Sequence, residues 1–144
     1  MTTDMTYRIF IDGAAGTTGL QVADRLARHP GVTAHALDDA KRKDDNARRE
    51  MMAASDLTIL CLPDDAARDV ASAADHDVKV IDASSAHRTS PGWVYGFPEL
   101  MPGQRAAIAG ANRISNPGCY PTGFLSLVRP LMDSGLLGSD ALFS

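Results

Sequence analysis

The chain has 144 residues, 44% of them hydrophobic, and a net charge of −4 at neutral pH, which suits one domain with an apolar core. The acidic balance and an aromatic content of 6% argue against a nucleic-acid surface or an anionic-membrane surface. Two cysteines and four scattered histidines make neither a disulfide framework nor a metal site. No apolar stretch reaches the roughly 20 residues of a membrane span, and the polar residues 1–4 resemble no signal peptide. We therefore expect a cytoplasmic protein that binds no metal, nucleic acid or membrane.

Strand and helix patterns alternate along the first part of the chain. Short apolar runs predict four strands, at residues 7–11, 32–37, 57–62 and 78–82. Helical periodicity predicts helices between them, at residues 18–28, 46–54 and 64–74. This order predicts an α/β fold, a Rossmann-like doubly wound parallel sheet with helices on both faces. The stretch 83–112 is loop-rich, and residues 113–115 predict one more short strand.

A glycine-rich turn, GAAGTTG, separates the first predicted strand from the first predicted helix. Gly13, Gly16 and Gly19 have a spacing that permits a tight turn, approach of the backbone to a pyrophosphate, and close helix packing. The pyrophosphate would lie at the helix N-terminus, on Thr17 and Thr18. An ordinary glycine turn is the competing interpretation. The predicted dinucleotide site comprises Gly13, Ala15, Gly16, Thr17, Thr18 and Gly19.

The residues after the second predicted strand leave the choice of dinucleotide open. Asp38 stands where an acidic side chain can hold the ribose hydroxyls of NAD. Lys41, Arg42 and Lys43 follow at once and can instead hold the 2′-phosphate of NADP. A solvated charged loop is the third interpretation, and residue chemistry does not decide among them.

Cys119 stands in the stretch SNPGCYPTG, just before a run with helical apolar spacing. Pro117 and Gly118 force a turn, and Pro121 suits a first helical turn. Cys119 is therefore placed at a helix N-terminus, where unpaired N–H groups and the helix dipole favour the thiolate. A thiolate beside a nicotinamide suggests that an acyl group forms a thioester and is then reduced to an aldehyde. Cys61, within LTILCL, is interpreted as a buried structural thiol.

Ser84, Ser85 and Arg88 follow the fourth predicted strand, in DASSAHR. Hydroxyls and a guanidinium at a strand's carboxyl end suit a substrate phosphate or carboxylate. A helix cap with a surface arginine is the equal alternative. His87 and Glu99 are assigned no role, and three nearby aromatic side chains are interpreted as packing residues: Trp93, Tyr95 and Phe97.

With GAAGTTG, DASSAHR, YGFPEL and NPGCYPTG, the chain resembles N-acetyl-γ-glutamyl-phosphate reductase, in the shorter of that family's two forms. The resemblance implies NADPH-dependent reduction of N-acetylglutamyl 5-phosphate to the 5-semialdehyde, with phosphate released, in arginine biosynthesis. It maps the nucleophile onto Cys119, the dinucleotide glycines onto the glycine-rich turn, and a substrate-side arginine onto Arg88. It also implies NADP as the cofactor, a small acyl-phosphate substrate and a homo-oligomer at full length.

The resemblance further implies a length about twice that of this chain, with a second α/β domain that supplies a catalytic histidine. We therefore expect an NADP-binding domain over 1–118, and at 119–144 the cysteine helix with the start of a truncated second domain, ending in a nascent strand at 141–144. Two alternatives remain. One is a reductase of aminoadipyl phosphate in lysine biosynthesis, and the other is an NADP-binding regulator in which Cys119 is unreactive.

Overall fold

A six-stranded parallel sheet organises the described part of the chain, which in this computed structural model comprises residues 6–138 and 140–141. The sheet order is β2-β1-β3-β4-β6-β5, and every neighbouring pair runs parallel. In chain order the elements are β1 (Tyr7–Asp12), α1 (Thr17–Leu26), β2 (Val32–His35), α2 (Asp45–Ala53), β3 (Leu57–Leu60), α3 (Asp64–Ala73), β4 (Val80–Asp82), β5 (Val94–Tyr95), α4 (Gln104–Gly110), β6 (Arg113–Ser115) and α5 (Cys119–Asp133).

The predicted α/β class and parallel sheet are confirmed, but the loop-rich stretch contains two elements that periodicity missed. Strand β5 pairs with β6 through Val94 opposite Ile114 and Tyr95 opposite Ser115. A two-residue strand is too short for a pattern, so only the pairing with β6 reveals it. Helix α4 follows Gly103, whose φ of +84° ends the preceding turn. These elements place β6, which leads to Cys119, inside the sheet rather than at its edge.

The main core lies on the sheet face that α2 and α3 cover. Phe10, Leu60 and Val80 are fully buried and project from neighbouring strands. Met52 of α2 and Ala67 of α3 pack in the same cluster. Burying a side chain of the size of leucine or phenylalanine contributes about 1.5–3 kcal/mol. This core therefore holds the ends of β1, β3 and β4 in fixed positions.

Arg113 of β6 ties the sheet to the end of α3. Its guanidinium donates to the carbonyl oxygen of Ala74 at 3.2 Å, to that of Asp75 at 3.0 Å, and also to that of Val78. Desolvation lowers the pKa of Arg113. The last carbonyls of a helix lack intrahelical donors, so this side chain supplies a donor to the Ala74 carbonyl, whereas the Asp75 carbonyl also accepts from the Val78 amide at 3.1 Å.

A row of side chains crosses one face of the sheet at the carboxyl ends of its strands. Asp12 lies opposite Leu60, and Leu60 lies opposite Asp82. Asp82 lies opposite Ser115, which in turn lies opposite Tyr95. Four of these five side chains are polar, at the edge where open α/β sheets bind their ligands.

Two sequence predictions fall at least partly on residues that are not described. These are the polar residues 1–4 and the nascent strand at 141–144, of which only residue 141 belongs to the described part.

Helix α5 exposes large apolar side chains, with Tyr120 88% exposed and Leu127 72% exposed. In the described ranges, no helix is both long and apolar enough to cross a membrane.

Candidate active site

The glycine-rich turn joins the carboxyl end of β1 to the N-terminus of α1. Gly16 is the N-cap of α1, and no side chain caps the helix there. The amide of Gly16 donates to the Gly13 carbonyl at 3.1 Å, which closes the turn. The first N–H groups of α1 therefore face outward from the sheet edge, with the positive end of the helix dipole behind them.

The three glycines of the turn meet different surroundings. Gly13 has a φ of +86°, and a Cβ there would lie 2.8 Å from the carbonyl carbon of Cys61 and closer still to its oxygen. A Cβ on buried Gly19 would lie 2.6 Å from the Cα of Ala14. Gly16 differs, because a Cβ there would make only an ordinary contact, at 3.5 Å from the Gly13 carbonyl oxygen. Gly13 and Gly19 thus serve the fold, while the space at Gly16 is open to a ligand.

A buried ion pair, which sequence reasoning missed, stands directly before the turn. Asp12 is 4% exposed, and Nε of Arg48 donates to its carboxylate at 2.7 Å. Burial raises the pKa of Asp12, and the charge and hydrogen bond of Arg48 act in the opposite direction. Arg48 also contacts Asp45 at 2.6 Å and donates to the Arg42 carbonyl at 2.9 Å. The pair therefore anchors the segment after β2 to the end of β1.

A cleft of about 420 Å³ opens beside the turn. Basic side chains enter it from the segment after β2 and from α2, and its lining includes residues 13–16 of the glycine-rich turn, Leu37, Asp39, Arg42, Lys43 and Arg48. Asp38 and Lys41 are absent from this lining. A carboxylate oxygen of Asp38 instead accepts from the Lys41 amide at 3.0 Å, within a local turn. The cleft therefore presents the cations Arg42 and Lys43, whereas Asp38 lies outside its lining with one carboxylate oxygen bonded in the local turn.

Cys61 follows β3 and lines the same cleft. Its side chain is half-buried rather than fully buried, and its amide donates to the Asp12 carbonyl at 2.8 Å. Burial raises the pKa of the Cys61 thiol, and the nearby charges of Asp12 and Asp82 raise it further. Such surroundings favour the neutral thiol, which suits the structural role expected for this residue.

Cys119 is exposed and is the first residue of α5. Gly118 is the N-cap, with no side-chain hydrogen bond to the first turn. Thr122 closes that turn, since its amide donates to the Gly118 carbonyl at 3.0 Å and its hydroxyl donates to the same oxygen at 2.7 Å. The predicted helix-start position of Cys119 is thus present, with the thiol open to solvent.

Arg88 reaches the same helix start from the loop after β4. A Cβ on Gly118 would lie 2.6 Å from Nη1 of Arg88, so the guanidinium packs directly on the residue before Cys119. Nε of Arg88 donates to the Asn116 carbonyl at 3.3 Å. A cavity of about 370 Å³ lies beside this point, lined by Arg88, Thr89, Tyr95, Pro121 and Leu125. An anion held by Arg88 there would lie close to Cys119.

The two serines of this loop have partners within the protein. The Ser84 hydroxyl donates to Asp82 at 2.7 Å and accepts from the Ala86 amide at 3.1 Å. The Ser85 hydroxyl donates to Asp64, the first residue of α3, at 2.6 Å. Hydrogen bonds from Ser85 lower the pKa of the Asp64 carboxyl. Of the three residues predicted to grip the substrate, Arg88 is therefore the one next to Cys119, while both serines shape the loop.

Asp82 and His87 form a second buried pair that sequence reasoning did not assign. Asp82 is fully buried, His87 is 8% exposed, and His87 Nδ1 lies 2.6 Å from the Asp82 carboxylate. The His87 ring stacks on Trp93 with centroids 3.9 Å apart. An acid at a strand end, five residues before a histidine, is the sequence signal that was available. That spacing suggests contact only once the intervening turn is known.

Comparison with known proteins identifies the family. Residues 38–109, half of the chain, match the family described as semialdehyde dehydrogenase, NAD binding domain. The chain belongs to this family. Over 134 residues it is 55% identical to a protein of Trichormus variabilis, and over 133 residues it is 54% identical to one of Burkholderia ambifaria. Both relatives are named N-acetyl-gamma-glutamyl-phosphate reductase, so the predicted resemblance is confirmed.

The coverage is the same for both relatives: 92% of this chain aligns with 42% of each of them. Among solved structures, aspartate semialdehyde dehydrogenase from Francisella tularensis matches with a TM-score of 0.65 and 12% identity. That match covers 90% of this chain and 42% of the other. At this identity the likeness concerns the fold. The family, by its description as an NAD binding domain, indicates a nicotinamide cofactor.

Proposed function

We propose that this chain is the cofactor-binding part, with the catalytic cysteine, of an NADPH-dependent N-acetyl-γ-glutamyl-phosphate reductase. The chain spans 42% of the length of the relatives that bear this name, so the activity is proposed for a protein of their length. The observation that carries the proposal is Cys119, exposed at the uncapped start of α5 with the Arg88 guanidinium packed against the preceding residue. That pairing suits attack on an acyl group that carries a negative charge.

The cofactor fits the residues at the glycine-rich turn. Gly16 leaves room for close approach, and the uncapped N-terminus of α1 offers N–H groups to a pyrophosphate. Ala15, Gly16, Thr17 and Thr18 would hold it there, and Gly13 and Gly19 would shape the turn that presents them. When bound, the nicotinamide supplies the hydride that reduces an acyl group to an aldehyde.

We assign the 2′-phosphate of NADP to Arg42 and Lys43. Both side chains line the cleft beside the turn, and Asp38, the residue suited to NAD, bonds to its own local turn. Arg42 also faces Asp39 at 3.9 Å, with both side chains more than half exposed. An exposed ion pair of this kind is worth about 0–1 kcal/mol, so it costs little for Arg42 to turn toward a phosphate.

The first chemical step is acyl transfer to Cys119. Its thiolate attacks the carbonyl carbon of the acyl phosphate, a C–S bond forms, and the C–O bond to phosphate breaks with inorganic phosphate leaving. Arg88 is placed to bind the anionic group and hold it in attack geometry. After reduction of the thioester carbon, the C–S bond breaks and the thiolate is restored. Ser84 and Ser85 support this arrangement by shaping the loop that carries Arg88.

We further propose that the protein is cytoplasmic and homo-oligomeric at full length. Both of its cysteines are free, as is usual in a reducing compartment. The exposed apolar side chains of α5 provide surface that an assembly or a further domain can cover. The proposed partner of the site is a small acyl phosphate.

The decisive experiment compares Cys119→Ser with the parent protein and with Cys61→Ser. Incubation with N-acetylglutamyl phosphate should acylate Cys119, detected by peptide mass spectrometry, in the parent protein and in Cys61→Ser. Cys119→Ser should show no acylation and, in a protein of the relatives' length, no turnover, yet it should still bind NADP. Turnover by Cys119→Ser contradicts the proposal. Faster acylation by aminoadipyl phosphate would instead favour the lysine-pathway substrate, and an unreactive Cys119 would favour a regulator.

A further inference from the structure

The buried Asp82–His87 pair has no part in the chemistry proposed above, yet it underlies the loop that carries Arg88. The Asp82 carboxylate accepts from the Ser84 amide at 2.9 Å and from the Ser84 hydroxyl at 2.7 Å, and lies 2.6 Å from His87 Nδ1. A carboxylate accepts and does not donate, so Nδ1 carries the hydrogen in this bond. Asp82 is fully buried, and a satisfied polar network around a buried carboxylate makes the chain there rigid.

The hydrogen bonds of this network hold the loop between β4 and β5 at two points, Ser84 and His87. Ser84 is held at its start, and the carbonyl of His87 accepts from the Ser90 amide at 3.3 Å. Trp93 then presses on the His87 ring at a centroid distance of 3.9 Å and an interplanar angle of 12°. Arg88 comes directly after the pinned histidine, so the direction in which its side chain leaves the loop depends on that residue.

We propose that Asp82 and His87 are positioning residues, which aim the Arg88 guanidinium at the start of α5 beside Cys119. The inference rests on the proposed function only in giving Arg88 a substrate anion to hold. The hydrogen bond between His87 and Asp82 is the decisive element, because it joins the loop to the end of β4. The Trp93 stack fills space around the ring and is secondary.

Two substitutions at His87 separate the effect of the hydrogen bond to Asp82 from that of the stack on Trp93. His87→Phe keeps a flat ring against Trp93 and removes the hydrogen-bond donor. His87→Asn keeps an N–H donor close to the position of Nδ1 and removes the ring stack. Each is made in the parent chain and in an Arg88→Ala background, because residues that act through one another give non-additive effects.

The readout is the rate at which Cys119 is alkylated by iodoacetate, divided by its rate with iodoacetamide, at low ionic strength. The two reagents differ in charge, so the ratio reports how near the Arg88 cation lies to the thiol, whatever the thiol's own reactivity. A cation about 4 Å away contributes roughly 1 kcal/mol in water, which is about fivefold in rate. Peptide mapping assigns the label to Cys119 rather than Cys61.

We expect Arg88→Ala to lower the ratio about fivefold and His87→Phe to lower it at least about threefold. His87→Asn should stay within about twofold of the parent chain, and His87→Phe should have no further effect once Arg88 is alanine. An undiminished ratio in His87→Phe, or an equal further loss in the Arg88→Ala background, overturns the proposal. If His87→Phe does not fold, His87→Asn decides the question. A fall in the ratio as large as that caused by Arg88→Ala would show that the retained N–H donor does not position Arg88, and it would overturn the proposal.

The same variants, measured for turnover of the acyl phosphate, separate this inference from the proposed function. Positioning predicts a higher KM for the acyl phosphate in His87→Phe, with the KM for NADPH within about twofold of the parent. A protein of the relatives' length that turns nothing over refutes the proposed function, while the alkylation ratios still decide whether His87 aims Arg88. Equal increases in the KM for the acyl phosphate and the KM for NADPH would show general damage to the fold and would overturn the positioning role.

Discussion

The glycine-rich turn offers a sharp test, because its glycines face different obstacles. We predict that Gly16→Val weakens cofactor binding without unfolding the protein, whereas Gly19→Ala unfolds it more readily. The space around Gly16 holds only the Gly13 carbonyl oxygen, 3.5 Å from a built Cβ. At Gly19, a Cβ meets the backbone of both Gly13 and Ala14, with the Cα of Ala14 at 2.6 Å.

The magnitudes follow from those contacts. Overpacking a filled site costs about 1–3 kcal/mol, and the obstacle at Gly19 is backbone, which cannot rotate away as a side chain can. We therefore expect Gly19→Ala to lose about 3 kcal/mol of unfolding free energy, which is roughly 10 °C in Tm for a domain of this size. Gly16→Val should change stability by less than about 1 kcal/mol. Its branched side chain occupies the space proposed for the pyrophosphate, so NADP affinity should fall at least tenfold, about 1.4 kcal/mol.

The assay pairs urea denaturation with titration calorimetry against NADP on each variant. Gly16→Ala serves as the matched control, since it adds one methyl where the neighbouring atoms are at ordinary contact distance. It should fold normally and lose less affinity than Gly16→Val. A Gly16→Val protein that is folded and binds NADP as the parent does would show that the turn only shapes the backbone. A fully stable Gly19→Ala would refute the packing argument.

Three further predictions concern single side chains. Arg42→Ala should lower NADP affinity at least about tenfold and leave NAD affinity within about twofold, as measured by calorimetry; equal loss for both dinucleotides contradicts the 2′-phosphate assignment. Hydrogen bonds from Ser85 lower the pKa of Asp64, so they stabilise the fold above the carboxyl's unfolded pKa and this stabilisation is lost as pH falls through its folded pKa. Ser85→Ala should therefore lower the free energy of unfolding most at pH 7, and in acid its stability should approach that of the parent. A difference in unfolding free energy that stays constant with pH, measured by urea denaturation, would contradict this explanation. Arg113→Met should lose about 1–2 kcal/mol of unfolding free energy because it removes the guanidinium that donates to the part-buried carbonyls of Ala74 and Val78, and an unchanged urea midpoint would show that water replaces the guanidinium.

Elements with local signals were predictable from the sequence. The apolar run before Asp12 and the helical spacing after Gly19 each depend on neighbours within a few residues, so periodicity and turn residues identify them. Cys119 was placed at a helix start by the same local reasoning, from the proline and glycine before it. The register of Val94 with Ile114 had no such signal, because a two-residue strand exists only through its partner.

Contacts between side chains that are distant in the sequence could not be predicted, because they form only in the folded chain. The sequence left Asp38 and Arg42 open as cofactor residues, and only the fold shows that an Asp38 oxygen accepts from the Lys41 amide while Arg42 lines the cleft. Ser85 and Asp64 are 21 residues apart, yet they meet because parallel strands bring their carboxyl ends together. Local patterns alone were enough to predict most of the helices and strands and the positions of the glycine-rich turn and Cys119, since those depend on short-range backbone preferences. Which polar groups are left free for a ligand depends on which distant side chains and backbone groups bond to them, and those contacts form only when the sheet packs.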